Sequence, residues 1–213
     1  MNKFDIEKGK YVHNCGGSII NKHQILTAAH CFEESQNPED WLIIIGKTII
    51  YLPNLHKEGK IQGRQKLIND LPNVYAPKEI KLHGGYLKSG YVNDIAIINL
   101  QKPLKLHDKL IETIDLATKA PQESEKCMVA GWGRTNRGGI GSYPFRLHEA
   151  LVEMRNLQEC RVNYFFNKAR DLNIKKFSKA EVIENEDFWF HVKAEQNICA
   201  GNERADSCQV NNL

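Results

Sequence analysis

The chain has 213 residues, of which 41% are hydrophobic and 26% are charged, a balance that favours a globular protein over a disordered one. Its net charge of +3 is too small to indicate a nucleic-acid-binding protein, and no basic run is interleaved with aromatic residues. The longest purely apolar run, residues 41–45, is far shorter than the roughly 20 residues that a membrane-spanning helix needs.

Short apolar runs rich in Ile, Val and Tyr follow one another along the chain, with Gly, Pro and Asn between them. They predict strands at residues 17–20, 41–45, 47–52, 95–100 and 128–130. Many short strands separated by turn residues are typical of an all-β protein. Residues 157–166 predict a short helix. The highly charged residues 169–192 fit either a second helix or, at least equally well, a solvated surface loop.

Six cysteines give conflicting indications about the compartment. None lies in a C-x-x-C pair, which disfavours a zinc ribbon or a thioredoxin-like motif, and an even count favours a secreted disulfide framework. The N-terminal residues 1–8, however, carry charges at every second or third position and lack the apolar core of a signal peptide. Spacing alone does not choose among the pairings of Cys15, Cys31, Cys127, Cys160, Cys199 and Cys208.

Two segments carry the residue types of a hydrolytic site. His30 ends the run Leu-Thr-Ala-Ala-His, and a histidine held rigidly near neutral pKa suits a general base. Asp94 precedes the apolar residues 95–98, where a half-buried carboxylate needs a partner and can orient an imidazole. Taken alone, His30 would be an ordinary core or surface histidine and Asp94 a strand-capping aspartate.

These two segments belong to a series of six motifs that occur in a fixed order along the chain. They are CGGSII at 15–20, LTAAHC at 26–31, NDIAIINL at 93–100, CMVAGWGRT at 127–135, NICAG at 197–201 and DSCQ at 206–209. In this order the chain resembles the trypsin-like serine proteases of the chymotrypsin family, from about residue 9 to residue 209. Each motif is weak alone, but six in order are specific, and histidine before aspartate matches the order of that group.

The resemblance implies a chymotrypsin-like double antiparallel β-barrel, so that the chain as a whole, 1–213, is a partial trypsin-like peptidase domain. The first barrel is expected at about 9–105 and an incomplete second barrel at about 120–213. Because an unclosed barrel exposes strand edges and apolar interior, we expect a stable first half and a marginal, aggregation-prone second half. Residues 51–73 and the segment between Cys160 and Cys199 look expanded relative to the family.

The resemblance also implies roles for individual residues. His30 would take the proton of a serine hydroxyl, and Asp94 would hold the histidine tautomer. Asp206 matches the base of the specificity pocket, where a carboxylate selects Lys or Arg of the substrate. The implied partners are protein or peptide substrates or protease inhibitors, with neither nucleic acid nor a membrane. No cofactor is implied, and Glu58, near the family's calcium loop, lacks a ligand set, so no metal is predicted.

The family pattern continues after Cys-Gln with Gly-Asp-Ser-Gly-Gly-Pro, whereas this chain reads Val210, Asn211, Asn212. Aligned without a gap, Asn212 takes the place of the nucleophilic serine. Ser207 is no substitute, since it lacks the sharp glycine turn that exposes a nucleophile. The chain is therefore expected to be inactive as given.

The disulfides implied by the resemblance join Cys15 to Cys31 and Cys160 to Cys199, and they leave Cys127 and Cys208 without partners. Together with the missing serine and activating N-terminus, this predicts a family member shortened at both ends. Three interpretations stay open. The sequence is an incomplete record of an active secreted enzyme, a non-catalytic homologue or splice product that acts by binding proteins, or a product without a selected role.

Overall fold

The computed structural model describes residues 1–50, 52, 60–107, 110–133, 144–163 and 198–201. Strands predominate in these ranges, as the sequence predicts. Residues 157–163 are helical, in line with the short helix expected there. The charged segment 169–192, Asp206, Cys208 and residues 210–213 lie outside the described residues. No helix of the described part is long and apolar enough to cross a membrane.

The described strands form three antiparallel sheets, which are open rather than closed into barrels. In order across each sheet they run β2-β1-β5-β6, β3-β4-β8-β7 and β11-β10-β9. Their bounds are β1 Asn2–Asp5, β2 Lys10–His13, β3 Ser18–Asn21, β4 Gln24–Thr27, β5 Trp41–Ile44, β6 Val74–Tyr75, β7 Pro77–Leu82, β8 Ala96–Leu100, β9 Lys126–Gly131, β10 His148–Met154 and β11 Ala200–Gly201.

Strand β8 illustrates how an apolar run forms a strand that buries one of its two faces. Its side chains alternate between the core and the outer face, since successive residues of a strand point to opposite sides. Ala96, Ile98 and Leu100 are buried, whereas Ile97 and Asn99 are half-buried. The strand pairs with both β4 and β7, and it thereby fixes the register of the sheet that will carry the candidate site.

The largest apolar core lies between the first two sheets. Phe32 and Trp41 are fully buried at its centre, with ring centroids 4.8 Å apart in an edge-to-face arrangement. The indole of Trp41 donates a hydrogen bond to the carbonyl of Ser35 at 3.0 Å, so its one polar atom is satisfied. The cluster also includes Ile25, Ala28, Ala29, Ile43, Ile98, Leu100, Leu104 and Ile111.

A helix, α1, occupies Lys60–Asp70 within the stretch that looked like an expanded loop from the sequence. Leu67 anchors it, since this side chain is buried against Tyr11, Leu42 and Val74 in a second, smaller apolar cluster. The sequence interpretation missed this helix because its charged residues hide an apolar face that only tertiary packing stabilises.

The predicted strand at 47–52 is not formed among its described residues. Ile49 instead makes an isolated antiparallel bridge to Arg146. This bridge joins the N-terminal sheets to the C-terminal part of the chain, so the segment serves as a contact between them rather than as a strand within one sheet.

Backbone hydrogen bonds on both sides of this bridge strengthen the contact. The N–H of Ile50 donates to the carbonyl of Phe145 at 3.0 Å, and the N–H of Leu147 donates to the carbonyl of Thr48 at 2.7 Å. The indole of Trp132 donates to the same Thr48 carbonyl at 3.3 Å. The two parts of the chain are therefore held together largely by main-chain bonds.

The three-stranded C-terminal sheet buries one face and exposes the other. Val152 and Met154 are 7% and 4% exposed, whereas Met128, Leu151 and Ile198 are 67%, 52% and 51% exposed. Among the described residues, this part of the chain therefore presents large apolar side chains to solvent.

Candidate active site

The segment that carries His30 leaves strand β4 through small, buried residues. Ala28 and Ala29 are 2% and 0% exposed, and a short 3₁₀ turn over Ala29–Phe32 follows them. The hydroxyl of Thr27 donates to the carbonyl of Gly16 at 2.9 Å, and this bond ties the end of β4 to the segment that precedes β3. Larger side chains at positions 28 and 29 would push the turn away from the core.

A disulfide between Cys15 and Cys31 fixes the other side of the same turn, with a Cα–Cα distance of 6.3 Å. Close packing extends to Gly17, where an added Cβ would lie 2.8 Å from a methyl carbon of Ile25 and 3.0 Å from the carbonyl oxygen of Leu26. The backbone beside the histidine is thus held on both sides by covalent and steric constraints.

Asp94 makes two contacts with His30, one from each carboxylate oxygen. Oδ2 lies 2.6 Å from the ring Nδ1, and Oδ1 accepts the backbone N–H of His30 at 2.7 Å. The aspartate side chain is only 4% exposed, so the contacts lie in a medium that strengthens electrostatic interactions. One carboxylate therefore positions both the main chain and the imidazole of the same residue.

The second ring nitrogen of His30 remains open for chemistry. With Nδ1 held by Asp94, Nε2 has no hydrogen-bond partner among the oxygen and nitrogen atoms of the described residues, and the side chain is 23% exposed. An imidazole in this arrangement can accept a proton at Nε2 while the carboxylate stabilises the resulting imidazolium. The geometry is that of an oriented general base.

The loop before Asp94 places an aromatic ring beside the histidine. The rings of Tyr91 and His30 meet edge to face at 5.6 Å, and Tyr91 is 56% exposed. The loop turns through left-handed backbone at Gly90, Tyr91 and Asn93, with φ values of 83°, 51° and 52°. A bulky residue such as tyrosine is rare in this region of backbone space, and such strain is often found beside functional sites.

An ionic cluster joins the turn after His30 to that same loop. Glu33 accepts hydrogen bonds from Lys88, whose Nζ lies 2.7 Å from Oε2, and from the hydroxyl of Tyr86. These two bonds hold the pKa of the Glu33 carboxyl below its usual range. Burial, followed by the hydrogen bond and negative charge of Glu33, raises the pKa of Tyr86. The cluster therefore fixes the distance between the two segments that flank the imidazole.

One group of side chains in the described ranges has metal-ligand spacing, namely Cys15, His30 and Cys31, whose ligand atoms lie within 4.8 Å of one another. Both sulfurs are consumed by the disulfide. The group does not fit a metal ion, because a disulfide sulfur lacks the charge of the thiolate that binds metals.

The structure brings together His30 and Asp94, which are 64 residues apart in the chain. It also joins Cys160 to Cys199, with a Cα–Cα distance of 5.9 Å, and it leaves Cys127 as a half-buried free thiol. Asp206 and Cys208 lie outside the described residues, so their expected roles are untested.

The sequence interpretation missed the residues that surround the histidine, which are Glu33, Tyr86, Lys88 and Tyr91. Glu33 and Tyr86 are 53 residues apart in the sequence but are hydrogen-bonded in the structure, and neither belongs to a motif that predicts this contact. Closeness in the sequence could have indicated two of them, because Glu33 lies three residues after His30 and Tyr91 lies three residues before Asp94.

Comparisons with known proteins agree with these features. The family model named Trypsin matches residues 1–211. The venom peptide isomerase heavy chain of Agelenopsis aperta is 29% identical over 205 residues, which are 96% of this chain and 70% of that protein. Trypsin zeta of Drosophila melanogaster is 35% identical over 131 residues, which are 61% of this chain and 40% of that protein.

Among solved structures, the scabies mite inactivated protease paralogue S-D1 aligns with a TM-score of 0.63 at 23% identity. The alignment covers 90% of this chain and 65% of that one, so this chain spans somewhat less than two thirds of that structure. At this level of identity the likeness concerns the fold alone, and it confirms the fold class expected from the sequence.

Proposed function

Because the chain belongs to the trypsin family of serine proteases, we propose that His30 and Asp94 are the general base and its orienting carboxylate in a site that receives protein or peptide chains. The two contacts from Asp94 to His30, at 2.6 Å and 2.7 Å, carry this proposal. In such a site the base removes the proton of a serine hydroxyl as it attacks the scissile carbonyl, and the base then returns that proton to the leaving amine.

The proposed preference of this site is for Lys or Arg in the peptide. Asp206 supports it, since it stands in the Asp-Ser-Cys-Gln motif that matches the specificity pocket of the family. A carboxylate at the base of a narrow pocket pairs with an ammonium or guanidinium group through charge-assisted hydrogen bonds.

We further propose that the polypeptide 1–213 does not cleave peptides by itself, because Asn212 stands where the family has its serine. The amide nitrogen of asparagine is a poor nucleophile, since its lone pair is delocalised into the carbonyl. This observation favours a second candidate function, in which the chain binds protease substrates or inhibitors without cutting them.

A serine-reactive fluorophosphonate probe tests the catalytic part of the proposal. We expect no labelling of the purified polypeptide and no hydrolysis of fluorogenic peptides that end in Lys or Arg. The control is the His30→Ala variant, which should behave identically. Labelling of the unchanged chain that disappears in His30→Ala would overturn the proposal that this polypeptide lacks a working nucleophile.

Peptide binding tests the specificity part independently of cleavage. Two fluorescent peptides that differ only in arginine or uncharged citrulline would be compared by fluorescence anisotropy. We expect tighter binding of the arginine peptide, with the difference lost in Asp206→Asn and retained in the matched variant Glu203→Gln. Equal affinity of the two peptides for the unchanged chain would contradict the assigned role of Asp206.

The proposed location is extracellular, or within the secretory pathway. Disulfides persist in oxidising compartments, and both Cys15–Cys31 and Cys160–Cys199 are formed in the structure. Mass spectrometry of the non-reduced protein after maleimide treatment should show two adducts, at Cys127 and Cys208. Additional adducts at the other four cysteines in freshly isolated protein would argue against an oxidising compartment.

A further inference from the structure

The sheet β3-β4-β8-β7 has two ends, and the candidate active site uses only one of them. The opposite end consists of the β3–β4 turn, the segment that follows β8 and the start of β7. The N–H of Leu100 donates to the carbonyl of His23 at 2.8 Å, and that of Leu104 donates to the carbonyl of Lys22 at 2.8 Å. The N–H of Gln101 donates to the carbonyl of Ala76 at 3.0 Å, so the three segments converge on one edge.

This end of the sheet, which we call the basic end, carries four exposed lysines. They lie on all three converging segments, and none makes an ion pair with another residue of the described part of the chain. The exposed imidazole of His23 lies on the same turn as the first of them. The lysines are Lys22, Lys78, Lys102 and Lys105.

The acidic side chain that follows Lys78 on β7 is already engaged. Glu79 Oε2 accepts a hydrogen bond from the amide of Asn99 at 2.9 Å and lies 3.3 Å from Nζ of Lys81. The bond from Asn99, together with the neighbouring lysines, holds the pKa of the Glu79 carboxyl below its usual range. Lys81 therefore offsets the charge of Glu79, and none of the four lysines is paired with this carboxylate in the described part of the chain.

The frame that carries these lysines is rigid. A row of side-chain amides crosses the strands, in which Asn21 donates to Gln24 at 2.7 Å and Gln24 donates to Asn99 at 3.0 Å. Between Lys102 and Lys105, Leu104 is only 3% exposed and belongs to the main core, which anchors the outermost segment. The backbone positions of the lysines are thus tied together before binding, and only the lysine side chains need to become ordered around an anion.

We propose that the basic end binds a polyanionic polysaccharide, with its sulfate or carboxylate groups set against the four lysines. The lysines lie on three different segments, namely the β3–β4 turn, the start of β7 and the stretch after β8, and a distribution over three segments suits an extended chain with repeated charges better than a single small anion. This site goes beyond the proposed peptidase function, and it does not depend on a catalytic serine.

A polysaccharide fits the basic end better than two other polyanions do. The three segments of the basic end, residues 22–23, 76–79 and 100–107, contain no Phe, Tyr or Trp on which nucleic-acid bases would stack. Leu106, which is 37% exposed, offers a single small apolar contact and hence too little for insertion into a membrane. Sulfated and carboxylated glycans are abundant in the oxidising compartment that we propose for this chain from its two disulfides.

The basic end is also separate from the dyad in space. Strand β8 leads from just after Asp94 to Leu100, and its five residues span about 13 Å from the first Cα to the last, at about 3.3 Å per residue. A glycan at the basic end would therefore leave His30 accessible to a peptide. Substitutions at these lysines change no residue that we assign to the candidate active site.

The test measures the affinity of the whole chain for heparin at several salt concentrations, using a triple variant and a charge-matched control. The triple variant Lys22→Glu, Lys102→Glu and Lys105→Glu alters the basic end. The control Lys47→Glu, Lys119→Glu and Lys126→Glu changes three exposed lysines elsewhere by the same total charge. Vesicles containing phosphatidylserine and a single-stranded DNA oligomer serve as competing polyanions.

We expect the basic-end variant to bind heparin at least about tenfold more weakly, with a shallower dependence on salt because fewer counterions are released. The control should change the affinity by less than about threefold. An equal loss in both variants would show that net charge alone drives binding, and it would overturn the site. Tighter binding to the vesicles or to DNA than to heparin would overturn the choice of a polysaccharide. Circular dichroism of both variants establishes that they fold.

Discussion

The N-terminal and C-terminal parts of this chain are built from the same kind of antiparallel strands, yet they differ in what their strands cover. In the N-terminal part, two four-stranded sheets enclose Phe32 and Trp41, which are fully buried. In the C-terminal part, a three-stranded sheet leaves Met128 and Leu151 more than half exposed. Strand pairing alone therefore does not produce a stable core, because apolar faces must also be covered.

This difference in core packing determines which residues of the candidate active site are held by a buried core. His30 follows β4 and Asp94 precedes β8, so both members of the dyad depend on the sheet with the larger core. The expected specificity residue, Asp206, belongs to the C-terminal part. The chain thus holds its candidate base, His30, in the well-packed N-terminal region.

A matched pair of leucine substitutions gives the largest expected contrast between the two regions. Leu42→Ala should lower the free energy of unfolding by about 2–5 kcal/mol, because Leu42 is fully buried and its loss leaves a cavity. Leu151→Ala should cost less than about 1 kcal/mol, since Leu151 is 52% exposed and water already reaches it. Urea unfolding followed by fluorescence measures both. Equal losses would mean that the C-terminal sheet is packed as tightly as the N-terminal ones.

The two disulfides provide a second contrast. The chain-entropy model gives about 3 kcal/mol for the Cys15–Cys31 link, across 16 residues, and about 4 kcal/mol for Cys160–Cys199, across 39. We expect the double serine variant at positions 15 and 31 to shift the unfolding midpoint reported by buried Trp41. The double serine variant at positions 160 and 199 should leave that midpoint unchanged, because we expect the C-terminal region to unfold separately from the N-terminal one. A shared shift would instead establish a single cooperative unit.

The contact between the two regions should make a smaller contribution to the free energy of unfolding, and this contribution depends on pH. The rings of His13 and Trp132 meet at 6.0 Å, and the Nδ1 atom of His13 is buried without a hydrogen-bond partner in the described part of the chain. Burial, with a contribution from the adjacent N-terminal charge, lowers the pKa of His13 to about 4 from its usual 6.5. Protonation therefore favours the unfolded state.

The sign of this dependence follows from the lowered pKa. The stability gained from a neutral His13 is present in full above pH 6.5, and it is lost as the pH falls from 6.5 towards 4, by an amount of order 2 kcal/mol. His13→Gln should flatten the curve of urea midpoint against pH in this window. His23→Gln, at an exposed position, is the control and should leave the curve unchanged. If His13→Gln and the unchanged chain gave identical curves, His13 would not be the group whose titration changes the stability.

Much of the N-terminal architecture was predictable, because the apolar residues that mark a strand in the sequence are there also the residues that the fold buries. The alternation of buried and half-buried residues along β8 is visible in the sequence, and the motif around His30 marks the turn that carries it. Helix α1 was not predictable in the same way, since its charged residues obscure the buried anchor Leu67 and its apolar neighbour Ile68. The strand expected at 47–52 fails because its apolar residues serve a contact between regions, which no local pattern distinguishes from a strand.

The surroundings of the dyad were beyond prediction for a different reason. Glu33 contacts Tyr86 and Lys88 through long side chains that reach across two loops. Polar residues in loops have many alternative partners, including water, and only the folded backbone selects among them. The fold and the dyad were therefore accessible from sequence, whereas the cluster that sets the spacing around the imidazole was not.

The double contact from Asp94 makes one backbone amide a reporter on the whole site. The N–H of His30 is bound to Oδ1 of the carboxylate whose other oxygen holds the imidazole ring. This proton can exchange with solvent only when that hydrogen bond opens, and the opening also displaces the carboxylate from the ring. The hydrogen-exchange rate of a single amide thus measures how often the base is misaligned, with no substrate, inhibitor or catalytic turnover required.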